Sequence, residues 1–221
     1  MKNELSHVRT IIFDYDGTLH DSSKIYIPAF KRAYNYLVKN NKAEEKNWSD
    51  EEITQWLGYS KQEMWELFMP DLDPSFRQDA SGLIGKTMLE MIQRNEARWY
   101  AGAVDTLQYL KDQGYTLIFL SNCSISYMEM HAQQFGLNDY FKRLYCTEQF
   151  NFRKSKKEIV KLLKQDFEGD IVVIGDRFQD IETAELEGVY AIGCTYGFGK
   201  HEELEGADLL ISDIGELRSY L

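Results

Sequence analysis

Three short apolar runs constrain this chain more than any other feature, because each ends abruptly in polar residues. They are Val8–Phe13 ("VRTIIF"), residues 116–120 ("TLIFL") and residues 171–174 ("IVVI"). Runs this short, bounded by glycine or polar residues, suit strands covered on both faces. Residues 190–193 and 208–211 are weaker candidates of the same kind. Helical segments alternate with these runs. Residues 103–111 are stopped by Gly114, and residues 126–135 follow the second run. Residues 155–164 open with Ser155 and Glu158 at the spacing of a capping box, and residues 181–187 end before Gly188. Alternation of this kind predicts an α/β fold, a doubly wound parallel sheet.

The segment 21–98 does not alternate. It reads as helical at 28–39, 50–57, Lys61–Phe68 and from 76 to about 99, and it holds all three prolines, Pro28, Pro70 and Pro74, as helix punctuation. Trp65, Phe68 and Met69 recur at helical spacing, which reads as a packed helix face more than as a pocket. The expected organisation is a core domain of residues 1–20 and 99–221 with a helical domain, 21–98, inserted after the first strand.

The strand ends carry the chemistry. The first run ends in Asp14 and Asp16, the second in Ser121 and Asn122, and the third in Gly175 and Asp176 with Asp180 four residues on. In open parallel sheets the carboxyl ends of the strands form the ligand crevice. In extended chain, residues i and i+2 face the same side, so Asp14 and Asp16 can share a site while Tyr15 points away. Gly17 then lets the chain turn. Asp176 and Asp180 share a face if a helix begins between them. Clustered carboxylates repel one another until a cation sits among them. All-oxygen ligation favours Mg²⁺, which keeps waters and takes few carboxylates. Asp-x-Asp-Gly also occurs in plain turns. An EF-hand loop is excluded by spacing, since its glycine is sixth in the loop and Gly17 would be fourth.

Composition excludes several classes. A formal net charge of -11 argues against a nucleic-acid binder, which shows a basic face. No apolar run approaches the roughly 20 residues that span a bilayer. Arg9 and Asp14 break up the start of the chain, so no signal-peptide core is expected there. Cys123, Cys146 and Cys194 are odd in number and widely spaced, which indicates neither a disulfide framework nor a zinc site and suits a reducing cytoplasm. His7, His20, His131 and His201 make no metal or triad pattern, and His20 is expected at a hinge-side surface near the site. Oligomeric state is not legible.

Taken in order, "DYDGT", Ser121 in "FLSN", a lysine ahead of a helix and "GDRFQD" resemble the haloacid dehalogenase (HAD) superfamily in its phosphatase branch, over essentially the whole chain. "DGTLHDS", "YAGAVDTLQYLKDQGYTLIFLSN" and "GCTYGFGKHEELEGADLLISDIGEL" are similar to the phosphoglycolate-phosphatase-like group, which carries a helical cap after the first strand. The resemblance implies a Rossmann-like core, a cap that closes over the site, and Mg²⁺-dependent hydrolysis of a small-molecule phosphate ester, phosphoglycolate-like or a sugar phosphate. It implies Asp14 as the nucleophile that forms an aspartyl-phosphate. Asp16 would be general acid and then base. Ser121 and the backbone N–H of Asn122 would hold phosphoryl oxygens. The Asp14 carboxylate, the Asp16 backbone carbonyl and Asp176 would hold Mg²⁺, with Asp180 behind them. For the lysine, "FRKSKKEIVKLL" offers Lys154, Lys156 and Lys157. The family pattern usually reads Lys-Pro, and here Ser155 replaces the proline. Lys154, just outside the N-cap, is taken as the site lysine, and Lys156 and Lys157 as solvated surface. Ala101 stands where the family often has proline. Two alternatives remain: a phosphosugar mutase of the beta-phosphoglucomutase kind, and a non-catalytic binding protein on the same fold, disfavoured because all four aspartates are present. A dehalogenase is disfavoured by Asp16.

Overall fold

Among the described residues six strands run parallel, and the order in which they pair decides where a ligand can sit. In the computed structural model, which describes residues 5–221, the strands are β1 (Val8–Phe13), β2 (Thr116–Ser121), β3 (Arg143–Cys146), β4 (Asp170–Gly175), β5 (Val189–Cys194) and β6 (Leu209–Ile211). Their order across the sheet is β3-β2-β1-β4-β5-β6. The chain therefore builds outward from β1 in one direction, returns, and builds outward in the other. The reversal falls between β1 and β4, so the crevice opens beyond their carboxyl ends. Register places Phe13 of β1 opposite Ile174 of β4 and Phe119 of β2. Asp14 and Asp176 thus leave the sheet at the switch point.

The alternation of side chains along each strand supplies two apolar faces. On one face Ile12, Ile118, Leu120, Ile171 and Val173 pack against Ile159, Val160 and Leu163 of helix α8 (Lys156–Leu163). On the other, Phe13 and Phe119 meet the edge of Phe141. The remaining helices of this unit are α5 (Ala103–Asp112), α6 (Ile125–Phe135), α7 (Leu137–Tyr140), α9 (Phe178–Ile181) and α10 (Leu217–Tyr220).

The chain divides into two compact units, Met1–Asp21 with Trp99–Leu221, and Ser22–Arg98. The second unit is helical throughout: α1 (Ser23–Lys39), α2 (Asp50–Thr54), α3 (Lys61–Phe68) and α4 (Pro74–Gln93). Capping boxes at Ser49 and Ser60 start α2 and α3, and Pro74 begins α4 behind the N-cap Asp73. Phe30, Tyr34, Trp48 and Phe68 form an aromatic cluster, and buried Trp65 donates to Ser81. The stripe of Trp65 and Phe68 is therefore internal packing of this unit. Among the described residues no helix is long and apolar enough to cross a membrane.

Several elements differ from sequence expectation. Strand β3 was not anticipated. It is a four-residue edge strand with exposed Arg143 and half-buried Leu144 and Tyr145, so it lacks an apolar run. Helix α1 begins at Ser23 and carries Pro28 inside it, where the proline costs one backbone donor without ending the helix. Helix α4 stops at Gln93, and Asn95 takes a left-handed conformation just beyond. Residues 181–187 do not form one helix; α9 tightens into a short 3-10 turn over Glu182–Glu185.

Ile12 is fully buried in the face that meets α8. Ile12→Ala is expected to destabilise the protein by about 2–5 kcal/mol through lost burial and the cavity left behind. Urea unfolding should show a lower midpoint at unchanged slope.

Candidate active site

The loop after β1 is knotted tightly by its own backbone. The Tyr15 carbonyl accepts from the N–H groups of Leu19 and His20, each at 2.9 Å, and Gly17 N–H donates to the His20 carbonyl at 3.0 Å. Gly17 is required here twice over. Its φ is +88°, in the left-handed region, and a Cβ would lie 2.4 Å from Asp176 Oδ2. Asp14 N–H donates to the Ile174 carbonyl at 2.8 Å, which locks this loop to the end of β4.

Asp176 follows β4 and is fully buried. Its Oδ2 accepts from Phe198 N–H at 2.6 Å, and the Thr18 hydroxyl lies 3.4 Å from its Oδ1. Gly197 and Gly199 also press on this residue: a Cβ on the first would meet the Asp176 side chain at 2.2 Å, and on the second its carbonyl at 1.8 Å. Asp180, on α9, lies against Gly175 so closely that a Cβ there would sit 2.1 Å from the Asp180 carboxyl carbon. Its Oδ2 accepts from Arg177 N–H at 3.2 Å.

Between these groups stands a lysine, and it is Lys156. Its ammonium donates to Asp14 Oδ1 at 2.6 Å and to Asp180 Oδ1 at 2.7 Å, and only 3% of its side chain is exposed. Lys154, the residue expected in this role, is exposed on the loop before α8. The physical reason for the correction is the helix start. Ser155 accepts from Glu158 N–H at 3.2 Å, and Glu158 accepts from Ser155 N–H at 2.8 Å, so Ser155 is the N-cap and Lys156 the first helical residue. Lys156, Ile159, Val160 and Leu163 then form one buried stripe. The signal was present in the sequence as a lysine heading an i, i+3, i+4, i+7 apolar face. Lys157 lies off that stripe and pairs with Glu185.

Asp14, Asp176 and Asp180 each offer an oxygen within 4.8 Å of the others, and all three are buried. Burial pushes each carboxyl up to about 6. Lys156 opposes the rise at Asp14, where Asp176 and Asp16 reinforce it. At Asp176 the neighbouring Asp180 adds to it, and at Asp180 Lys156 opposes and Asp14 adds. Burial alone would push the Lys156 ammonium down, but Asp14 and Asp180 outweigh it and hold the lysine charged. One ammonium against three carboxylates leaves the cluster short of positive charge. A hard divalent cation fits this oxygen set. The structure brings Asp180 into contact with the site lysine, and both of its oxygens accept hydrogen bonds, Oδ1 from Lys156 and Oδ2 from Arg177 N–H.

Asp16 is held apart from that cluster. Its Oδ1 accepts from His20 Nδ1 at 2.9 Å and from the Tyr127 hydroxyl at 2.8 Å. Burial would raise the Asp16 carboxyl, but the hydrogen bonds from His20 and Tyr127 outweigh it and hold the group below its ordinary value. Ser121 is buried at the last position of β2, level with Cys146 of β3. Asn122 follows at the same sheet edge, just before Ser124, whose hydroxyl accepts from Tyr127 N–H and caps α6. His20 is fully buried, not a surface residue at a hinge. His20, Tyr127 and His131 were missed as a group. Tyr127 and His131 stand four apart on the buried face of α6, a helical spacing visible in sequence, but their approach to the β1 loop is a tertiary event.

The sheet thus carries carboxylates at its switch point, a buried lysine among them and a further aspartate two residues beyond Asp14. Residues 8–188 match the family model for a haloacid dehalogenase-like hydrolase, and the chain belongs to that family. It is an enzyme of the hydrolase class. Over 219 residues it is 26% identical to a phosphoglycolate phosphatase of Agrobacterium fabrum, covering 93% of this chain and 89% of that protein. The pyrophosphatase PpaX of Bacillus pumilus is 23% identical over 202 residues, covering 90% of this chain and 88% of that protein. The crystal structure of a predicted phosphoglycolate phosphatase from Haemophilus somnus shares the fold with a TM-score of 0.82 at 20% identity, over 97% of this chain and 98% of that one.

Raised carboxyls oppose folding when they ionise. For Asp176, the stability associated with the raised pKa is fully present below the ordinary 3.8 and is lost as pH rises through about 6. In EDTA, Asp176→Asn should therefore melt a few degrees above wild type near pH 7.5, with the gain shrinking toward pH 4. Added Mg²⁺ should raise the melting temperature of wild type and leave the variant nearly unmoved.

Proposed function

We propose that the protein is a Mg²⁺-dependent phosphatase of small phosphomonoesters, working through an aspartyl-phosphate on Asp14. The observation that carries this reading is the buried Lys156 ammonium fixed on Asp14 Oδ1 within a cluster of three carboxylates. That arrangement holds one oxygen of Asp14 and leaves the carboxylate oriented for attack. Phosphoryl transfer needs an in-line nucleophile and charge neutralisation, and these residues supply both. The Asp14 carboxylate, the Asp16 backbone carbonyl and Asp176 would hold Mg²⁺, with Asp180 behind them, and the ion when bound neutralises phosphoryl charge.

In the first step Asp14 attacks phosphorus and the ester oxygen leaves, taking a proton from Asp16, which must enter the step protonated against the pull of His20 and Tyr127 toward the carboxylate. In the second, Asp16 takes a proton from water, which opens the acyl phosphate and releases inorganic phosphate. Ser121 and Asn122, at the carboxyl end of β2, would bind the phosphoryl oxygens. Similarity to proteins named phosphoglycolate phosphatase over nearly the whole chain supports a small acid or sugar phosphate as substrate. In the wider reading, residues 21–98 form the cap that sets specificity.

The test is phosphate release from para-nitrophenyl phosphate and a panel of acid, sugar and nucleotide phosphates, with Mg²⁺ or EDTA. Wild type should turn over with Mg²⁺ only, and Asp14→Asn should be inactive. An absence of phosphate release across the panel overturns the reading, and a sugar-phosphate isomer formed without free phosphate replaces it with a mutase. Lys156→Met should lower kcat/KM by about 10²–10³, as for loss of one charge-stabilising donor. Lys154→Met should change it by less than about twofold, in keeping with the small effect of exposed charges.

A further inference from the structure

Among the described residues, the Asp16 carboxylate is gripped on one oxygen. Two donors, His20 Nδ1–H at 2.9 Å and the Tyr127 hydroxyl at 2.8 Å, converge on Oδ1. Oδ1 accepts in both contacts, so the His20 proton here sits on Nδ1, and the proton that Asp16 transfers is carried on Oδ2. Tyr127 is pushed well above its ordinary pKa by burial and by Asp16, so it stays a hydroxyl donor. Two hydrogen bonds to one oxygen fix the rotation of the carboxyl group, and the side chain retains 17% exposure. Oδ2 is then the oxygen left for exchange with a ligand.

The grip is itself braced. His20 stacks on Tyr15 with ring centroids 5.1 Å apart and planes 13° from parallel. The edge of His131 meets His20 at 4.6 Å, and His131 Nδ1 lies 2.7 Å from the Tyr15 hydroxyl. His131 is pushed down to about 3 by burial, so this neighbour brings no competing positive charge at neutral pH. The backbone bonds between Tyr15, Gly17 and His20 return His20 onto Asp16 within the same loop. Four residues from two separate elements therefore immobilise one carboxylate, an arrangement that apolar side chains would replace at less cost if packing were all that was needed.

We infer that His20 and Tyr127 are positioning residues for proton transfer, holding Asp16 by Oδ1 so that Oδ2 faces the leaving oxygen. The inference rests on the phosphatase reading above. It has a signature that a structural role lacks. An alkoxide leaving group needs a proton, whereas para-nitrophenolate departs readily without one. Misplacing the acid therefore harms kcat/KM for an alkyl monoester far more than for para-nitrophenyl phosphate.

The test compares His20→Phe, His20→Asn and Tyr127→Phe on para-nitrophenyl phosphate and on the alkyl monoester that wild type hydrolyses fastest. His20→Phe keeps an aromatic ring against Tyr15 and removes the donor. His20→Asn removes the ring and can donate from a place near Nδ1. His20→Phe and Tyr127→Phe should lower alkyl kcat/KM by about 10–100-fold, part of the usual worth of a general acid, and the nitrophenyl value by less than about threefold. His20→Asn should recover alkyl activity to within about fivefold of wild type. A silent His20→Phe, a damaging His20→Asn, or an equal fall on both substrates overturns the inference and leaves a packing role. Wild type without Asp14-dependent phosphate release overturns the phosphatase reading itself, which is a different result from either.

Discussion

Everything at the sheet edge depends on a buried ammonium between two buried carboxylates. Lys156 reaches Asp14 from α8 and Asp180 from α9, and so ties the end of β1 to the elements flanking β4. Removing one partner of such a set leaves uncompensated charge in a low-dielectric interior, at a typical cost of about 3–5 kcal/mol. The lysine does not balance the site, because it pairs with two carboxylates and the cluster holds a third, Asp176. That residual negative charge is what makes the oxygen set fit a hard divalent cation.

Backbone shape is as demanding as charge. Asp176 is enclosed by Gly17 from the β1 loop and by Gly197 and Gly199 from the segment after β5, none of which leaves space for a Cβ. Tyr196, in the same segment, donates to the Thr18 carbonyl at 2.8 Å. Two loops from different strands therefore converge on one carboxylate through main-chain surfaces. Asp16 is handled differently, with side chains from its own loop and from α6, so two aspartates only two residues apart occupy unlike surroundings. Asp14 is raised beside lysine, and Asp16 is lowered beside histidine and tyrosine. Two neighbouring carboxyls therefore differ in their affinity for a proton, because one is buried among carboxylates and the other accepts two hydrogen bonds on one oxygen.

The buried strands were legible because their runs are apolar on both faces, and β1 lies where its sequence places it. Edge strand β3 was not, since half of its surface meets solvent and Arg143 breaks the pattern. The same logic separates the site residues. Asp14 and Asp176 declare themselves by ending apolar runs. Lys156 hides among Lys154 and Lys157, and choosing by position relative to the cap misled where the apolar stripe of α8 would have led to it. His20 and Tyr127 carry no local signal for each other, being 107 residues apart.

The sequence by itself determined the parallel α/β architecture, the placing of polar groups at strand ends and the presence of a helical segment after β1, because hydrophobic period and local caps are properties of neighbouring residues. Only the tertiary structure decided which lysine meets Asp14, that Asp180 joins the carboxylate cluster, and that a histidine and a tyrosine grip Asp16 by a single oxygen. Those outcomes depend on how β1, α6, α8 and α9 are brought to one edge, and on burial that turns weak surface charges into strong constraints.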